Sequence, residues 1–364
     1  MAVVQRSPQG QRPRVAIVLF NLGGPDGPRA VLPFLRNLFS DPAILRVGPF
    51  LRPFLARLIA SRRLKPARAN YALLGGASPL LGLTRQQAEA LEAALPELDA
   101  RAFIAMRYWH PMSRQTARNV AAWKPDEVVL LPLYPQFSTT TTGSSLTAWR
   151  EEAARAGLAA RVDTVCCFPD DPGYAGSVAA LVRRALDQAR AELPPEVPVR
   201  VLFSAHGLPE AIVRAGDPYA MQVRDTVGAV LAAMGVADLD WVICYQSRAT
   251  PQVWLTPSTD AEIERAAGDG TAVLVVPIAF VSDHSETLVE LDIEYRELAH
   301  RLGVPGYFRA PVPNADAAFI AALAGLVRRA RDQGPGLCLL RHGGVCAREH
   351  GDCPHRRAPE AAVP

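Results

Sequence analysis

Cysteine is scarce in this chain, with six in 364 residues. A disulfide framework needs a denser and more regular set, so none is expected, and a reducing compartment, the cytoplasm, is the default. Long apolar runs are also missing: no stretch reaches the ~20 residues needed to cross a bilayer. The opening MAVVQRSPQGQR has no apolar segment of the signal-peptide kind and reads as a short arm. Charge of one sign is weak: 39 Lys and Arg against 36 Asp and Glu leave a formal +3. That is too little to argue for nucleic acid, which demands a concentrated basic surface. No strand is followed by G-x-G-x-x-G or G-x-x-x-x-G-K-[ST], so the usual dinucleotide and P-loop readings have no support. One absence is local. Residues 42–88 contain no Asp or Glu at all.

What is present is an alternation of short apolar runs with longer helical patterns. The runs are 14–20, 101–106, 127–133, 162–167, 198–203, 241–245 and 272–278. Continuous apolar strands separated by helices predict parallel sheets covered on both faces, an α/β doubly wound class. The two halves of the chain look alike. VAIVLFNLGGP (15–25) resembles VRVLFSAHGLP (199–209), and VVLLPLYPQFS (128–138) resembles VLVVPIAFVSD (273–283). Two generic βα units would also share such features. The first half is longer between these landmarks, and segment 42–80 accounts for the surplus. An acid- and proline-containing stretch near 168–173 separates the halves. The expected organisation is therefore 13–170, with an apolar and basic lip near 42–80, then 171–330, then a cysteine-containing tail, 331–364.

In open α/β sheets, ligands bind beyond the carboxyl ends of the strands. His206 follows one such strand in SAHGLP, where an imidazole can bind a metal or accept a proton near neutral pH. It can equally be a histidine packed at a strand end. After another strand comes SDHSETLVELDIE (282–294). Glu286, Glu290 and Glu294 stand at i, i+4 and i+8, so they share one helix face. None has a basic residue four positions on, whereas Asp292 has Arg296 there. Such an unpaired acidic row suits a hydrated cation, which oxygen ligands can guide. Two plainer readings compete: a capping box between Asp283 and Glu286, and a solvated face. Arg107, Tyr108, Tyr134, Gln136, the hydroxyl run 138–145 and Trp254 lie after other strands. They fit an apolar, planar, carboxylate-bearing ligand, or else ordinary packing and an N-terminal cap.

Segment 42–88 pairs eight basic residues with Phe50, Leu51, Phe54, Leu55, Leu58 and Ile59 at near-helical spacing. It could lie on an anionic membrane surface, placing the protein at the periphery of the inner membrane. It could form a lip over an apolar substrate. It could also be a buried helix with solvated arginines.

From residue 14 to about 330 the chain resembles the ferrochelatase family. The resemblance rests on LFNLGGP, FLRNLFSDPAI, GGASPL, MRYWHP, LYPQFSTTTTGSSL, LFSAHGLPEAIVRAGDPY, YQSR, WLTPSTD and PIAFVSDHSETLVELDIEY. It implies two similar Rossmann-like domains with the active-site cleft between them. It implies insertion of Fe2+, the substrate metal, into a porphyrin, protoporphyrin IX to protohaem, with release of two protons in haem biosynthesis. Carried residue by residue, it makes His206 and Glu286 the catalytic and metal-binding pair, with His284 beside them. Asp283, Glu290 and Glu294 match a proton or metal path. Leu22, Arg107, Tyr108, Tyr134 and Trp254 fall on the porphyrin side; Leu22 stands where some members have Met, and Tyr245 where some have Trp. Two other functions remain open: a cobalt or nickel tetrapyrrole chelatase, whose metal site often carries two histidines, and a non-catalytic haem or porphyrin carrier. An acidic row argues against the carrier, which needs no cation path.

The tail GLCLLRHGGVCAREHGDCPHR (336–356) holds Cys338, Cys346 and Cys353. Some family members hold a [2Fe-2S] cluster with three C-terminal cysteines and one from the body, and this tail resembles that arrangement. Four thiolates are the usual requirement. After PQFS, where certain members have the body cysteine, this chain has Thr139. Cys166, Cys167 and Cys244 are the remaining candidates. A zinc site using His342, His350 or His355, or a tail of reduced thiols, are the alternatives.

Overall fold

The computed structural model describes residues 12–247 and 252–333. One sheet contains β1 (Arg14–Asn21), β2 (Asp99–Met106), β3 (Glu127–Pro132) and β4 (Arg161–Thr164). The other contains β5 (Val199–His206), β6 (Trp241–Gln246), β7 (Ala272–Pro277) and β8 (Tyr307–Arg309). All pairings are parallel, in the orders β2-β1-β3-β4 and β6-β5-β7-β8. Seven strands coincide with the apolar runs. The eighth, β8, spans three residues, too few to show a pattern.

The two sheets share register as well as order. Val15 pairs with Glu127 and Phe20 with Pro132. At the positions matched by the internal repeat, Val199 pairs with Ala272 and Ser204 with Pro277. Leu130 faces Thr164 as Val275 faces Arg309. Beyond the strands, Leu133 N–H donates to Phe20 O at 2.8 Å and Ile278 N–H to Ser204 O at 3.0 Å. The likeness of the halves is thus one backbone frame used twice.

Helices α1 (Val31–Ser40), α2 (Arg52–Leu73) and α3 (Leu80–Ala93) connect β1 to β2. Helix α2 supplies the surplus of the first half. Helices α4 (Ser113–Trp123) and α5 (Ser144–Arg155) cover one face of the first sheet, and α6 (Pro172–Glu192) follows β4, its first turn capped by Asp171. In the second half α7 (Glu210–Arg214) and α8 (Tyr219–Met234) connect β5 to β6. Helices α9 (Thr259–Gly268) and α10 (Tyr295–Leu302) cover the outer face, and α11 (Ala317–Gln333) comes last. Alternation along β1 sends Ala16, Val18 and Phe20 towards α4 and α5, and Val15, Ile17 and Leu19 to the opposite face. That opposite face is shared. Helices α3, α6, α8 and α11 form a layer between the sheets, and one apolar core runs from Leu91 and Val129 through Val182 and Leu323 to Phe203 and Leu274. Helix α11 crosses back to the first half, where Arg328 pairs with Glu97 at 2.7 Å and Arg331 with Glu127 at 2.6 Å.

Buried polar side chains fasten the carboxyl ends of the two sheets. Asp217, after α7, accepts Thr139 N–H and Thr139 Oγ1–H, both at 2.7 Å, and Ser138 Oγ–H at 3.0 Å. Gln222 Oε1 accepts Phe137 N–H at 2.7 Å, and Gln136 donates to Thr226 Oγ1 at 2.9 Å. From the first half, Gln87 donates to Val281 O and Asn314 O at 3.1 and 2.9 Å. Asp217, Gln222, Gln136 and Gln87 are removed from water, so their bonds replace lost hydration. Gln222→Met, similar in shape, leaves the Phe137 N–H unpaired. It is expected to lower stability by about 1–3 kcal/mol, read as a shifted urea midpoint at unchanged slope.

Candidate active site

His206 is the last residue of β5, and its counterpart in the repeat, Leu22, follows β1. Both precede a glycine for steric reasons. A Cβ on Gly207 would lie 2.7 Å from Gln246 O, and Gly23 has φ +84° with Trp109 N only 3.0 Å from where a Cβ would sit. The tight turns aim both side chains across the gap between the sheet ends.

The segments after β3 and β7 correspond in the same way, and both are π-helical. Thr139–Gly143 forms one π-turn and Glu286–Glu294 a longer π-helix. Sequence spacing predicted an ordinary α-helix for the second. A π-helix hydrogen-bonds from i to i+5, with slightly more than four residues per turn, so residues four apart remain nearly in line. Glu286 and Glu290 therefore keep a common side, whereas Glu294 is exposed. The capping box is not formed. Asp283 N–H donates to Asn314 Oδ1 at 3.0 Å, and the Asp283 carboxylate takes Thr287 Oγ1–H at 2.9 Å, Asn314 Nδ2–H at 2.8 Å and Arg309 at 3.4 Å. Asp292 pairs not with Arg296, whose guanidinium donates to the Asp292 and Tyr307 carbonyls, but with Arg309 through two bonds of 2.6 and 2.8 Å. The run Ser138–Ser145 is partly the cap foreseen, since Ser138 Oγ accepts Thr140 N–H at 3.2 Å.

Glu286 is thereby released towards the histidines. Its Oε2 lies 2.8 Å from His206 Nδ1 and 3.9 Å from His284 Nε2. Burial lowers the His206 pKa, but the Glu286 carboxylate outweighs it, and the net shift is upward. Burial raises Glu286, and the two histidines reverse this to a net depression. His284, without a direct carboxylate bond, stays on the lowered side through burial, so it is neutral near pH 7. Glu290 is raised, first by burial and then by Glu286; it accepts Ser247 N–H at 2.9 Å, Gln246 Nε2–H at 3.1 Å and Tyr295 O–H at 3.2 Å. Among the described residues no three His, Cys, Asp or Glu side chains converge as a self-sufficient metal cage.

A cavity of about 200 Å³ opens beside the pair. His206, His284 and Glu286 line one side, and Leu22, Tyr134, Ser138, Thr140 and Thr141 the other. Of the residues expected at a ligand, Arg107, Tyr108 and Trp254 are not on its wall. Arg107 pairs with Asp41 at 2.8 Å and donates to Ser144 Oγ at 2.5 Å, while the buried Tyr108 O–H donates to Asp41 at 2.8 Å. This network lines a separate cavity beyond the π-turn. Trp254 packs against Gly207 and bridges to Pro209.

Sequence reasoning missed four residues that the structure puts at the site. Tyr219 lines the cavity and donates to His206 O at 3.1 Å. Leu38 and Ile44 bring the lip to the wall. Tyr71, from the last turn of α2, has its phenol pushed up to about 12 by burial, eased by a hydrogen bond with Ser285 and reinforced by the Glu286 charge. Nothing in the sequence pattern marked Tyr71.

Helix α2 buries only Ala56, Ala60 and Tyr71. Phe50, Leu51 and Phe54 are 95, 62 and 68% exposed, which overturns the buried-helix reading. No helix among the described residues is long and apolar enough to cross a membrane. Cys338, Cys346 and Cys353 lie outside the described residues. Of the body thiols, Cys166, Cys167 and Cys244 are all buried, and burial pushes the Cys244 thiol up to about 12. Thr139 is committed to Asp217.

A sequence model of the ferrochelatase family matches residues 14–331. A ferrochelatase of Phenylobacterium zucineum is 52% identical over 348 residues, covering 93% of this chain and 99% of that one. One of Caulobacter vibrioides is 50% identical over 352 residues, covering 96% and 99%. Among solved structures, SirB from Bacillus subtilis with Fe3+ has a TM-score of 0.50 at 12% identity, covering 88% of this chain and 97% of that chain. A sirohydrochlorin chelatase SirB in complex with cobalt, from the subspecies spizizenii, has the same score and identity, covering 88% and 96%. At such identity the likeness is one of fold, and it agrees with the paired parallel sheets. Because the family match runs through both sheets, the lip and every residue around the cavity, the chain belongs to the ferrochelatase family.

Proposed function

We propose that the chain inserts Fe2+ into a porphyrin, protoporphyrin IX by preference, in haem biosynthesis, and that the His206–Glu286–His284 cluster carries the reaction. The observation that carries this is Glu286 set between two imidazoles on the wall of an apolar cavity. Insertion exchanges two pyrrole protons for one Fe2+. A general base near the ring must take protons at neutral pH, and a ligand must replace water on the metal. His284, kept neutral by burial, has a free lone pair for a proton. Glu286 bonded to His206 Nδ1 leaves Nε2 facing the ring or metal, and the carboxylate stabilises the imidazolium once a proton arrives. Glu290, with its raised pKa, relays protons or metal outward past Ser247. The incomplete cage suits a metal in transit, with ring nitrogens completing its coordination. Asp283 belongs to this path as a support, since Arg309 and Asn314 occupy its oxygens.

Apolar Leu22 and the hydroxyls of Ser138, Thr140 and Thr141 face the ring from the other half. The cavity lies below the ~300–1,000 Å³ usual for ligand sites, so the ring extends outward beneath the lip. We further assign the exposed Phe50–Leu58 face, flanked by Arg57, Arg62 and Arg63, to peripheral contact with an anionic membrane. A [2Fe-2S] cluster on Cys338, Cys346 and Cys353 enters no step of this reaction.

The direct test is continuous absorbance of porphyrin with Fe2+, run in parallel with protoporphyrin IX, coproporphyrin III, Co2+ and Ni2+. Metallation of protoporphyrin IX by Fe2+ is expected, and its loss in folded His206→Ala. A porphyrin spectrum that shifts on binding but never metallates would establish a carrier instead.

Glu286→Gln is expected to reduce turnover at least 100-fold, the general acid–base range. It should also drop the His206 pKa below the ordinary value, because burial remains and the opposing carboxylate is gone. NMR titration of the imidazole reads this. The pair's contribution to folding is full between about pH 4.3 and 6.5, the free Glu and His values. It fades as pH rises through the raised His206 value and as pH falls through the depressed Glu286 value. An unchanged His206 titration would refute the coupling.

Vesicles rich in phosphatidylglycerol should bind the wild-type protein at low salt and release it at high salt. Phe50→Ser with Phe54→Ser should abolish binding while metallation of a detergent-dispersed porphyrin continues.

A further inference from the structure

Arg46 stands out because its partner carries no charge. Segment 42–88 has no acidic residue, and Arg46 Nη2 instead donates to Thr139 Oγ1 at 3.0 Å. Thr139 gives its own hydroxyl proton to Asp217 at 2.7 Å, so its oxygen is the acceptor towards Arg46. The result is a chain of bonds from the lip through the π-turn to Asp217, after α7. Arg46 is well placed. Ile44, two residues before it, and Thr140, next to its partner, both line the cavity. Its turn is built rather than loose: Asp41 accepts Ala43 N–H at 2.8 Å, and Arg52 donates to Leu45 O and Val47 O at 3.3 and 2.8 Å.

A guanidinium has five donors in a planar fork matched to a carboxylate. A hydrogen bond to a neutral hydroxyl uses one of them and leaves the charge uncompensated. A carboxylate arriving at the rim is the stronger partner, since charge-assisted pairs are about twice as strong as neutral ones. We propose that Arg46 is a specificity-determining residue that holds Thr139 in the empty cleft and turns to a propionate of the porphyrin when the ring enters. It does not touch the reacting nitrogens. Its effect falls on binding and on the choice among porphyrins by their carboxylates. The substrate class rests on the proposed chelatase function, but binding can be measured without metallation.

The experiment is equilibrium binding of a metal-free dicarboxylate porphyrin and of its dimethyl ester. Porphyrin fluorescence is followed in lipid-free buffer at one fixed detergent concentration. Arg46→Ala is expected to weaken binding of the diacid about tenfold, the loss of one charge-assisted bond. It should change binding of the diester less than twofold, and Arg46→Lys should recover part of the loss. Equal losses for acid and ester, or no loss for the acid, would overturn the proposal. A wild-type chain that binds the diacid but does not metallate it would sink the proposed reaction and leave the Arg46 assignment standing.

Discussion

Everything at this site depends on holding two sheet ends face to face, and buried side-chain hydrogen bonds do it. Asp217, Gln222 and Gln136 bind the segment after β3 to the second half, while Gln87 binds the segment after β7 to the first. An apolar core between the sheets supplies most of the adhesion, but it is non-directional. A slip of one sheet past the other would keep much of that contact and would strand several buried donors. The polar bonds therefore set the spacing at which Leu22 and the Ser138–Thr141 turn of one half face His206 and Glu286 of the other across the cavity.

A frame used twice carries different chemistry in each half. Leu22 occupies the place that His206 has in the repeat, and the Ser138–Thr141 turn the place of Asp283–Glu286. One wall is apolar and hydroxylic; the other is basic and acidic. A flat ring between them meets a surface that grips on one side and a surface that exchanges protons and metal on the other. The asymmetry is chemical rather than architectural, because strand order and register are the same in both sheets.

Most of the fold was legible because parallel strands are buried on both faces and read as continuous apolar runs. β8 was not, since Arg309 is one of its three residues and serves the acidic helix rather than the core. The histidine pair and Glu286 were visible as residues after strands. Their geometry was not, because a spacing of four fits an α-helix and a π-helix alike. Arg107 and Tyr108 were placed near a ligand for their chemistry, but the buried Asp41 carboxylate claims both. Tyr71 comes from a remote helix, and no local pattern announces such a contact.

The last described helix, α11, packs mainly on the first sheet. On the ribosome, where N-terminal segments usually organise first, β1–β4 and α3 emerge long before α11, which completes the cover of their inner face. Val129, Leu131 and Val165 must wait for 317–333. The first sheet thus has no complete shell of its own during synthesis, and the halves mature together. A truncation before α11 would release a nascent chain with an open apolar face, a target for chaperones or for aggregation.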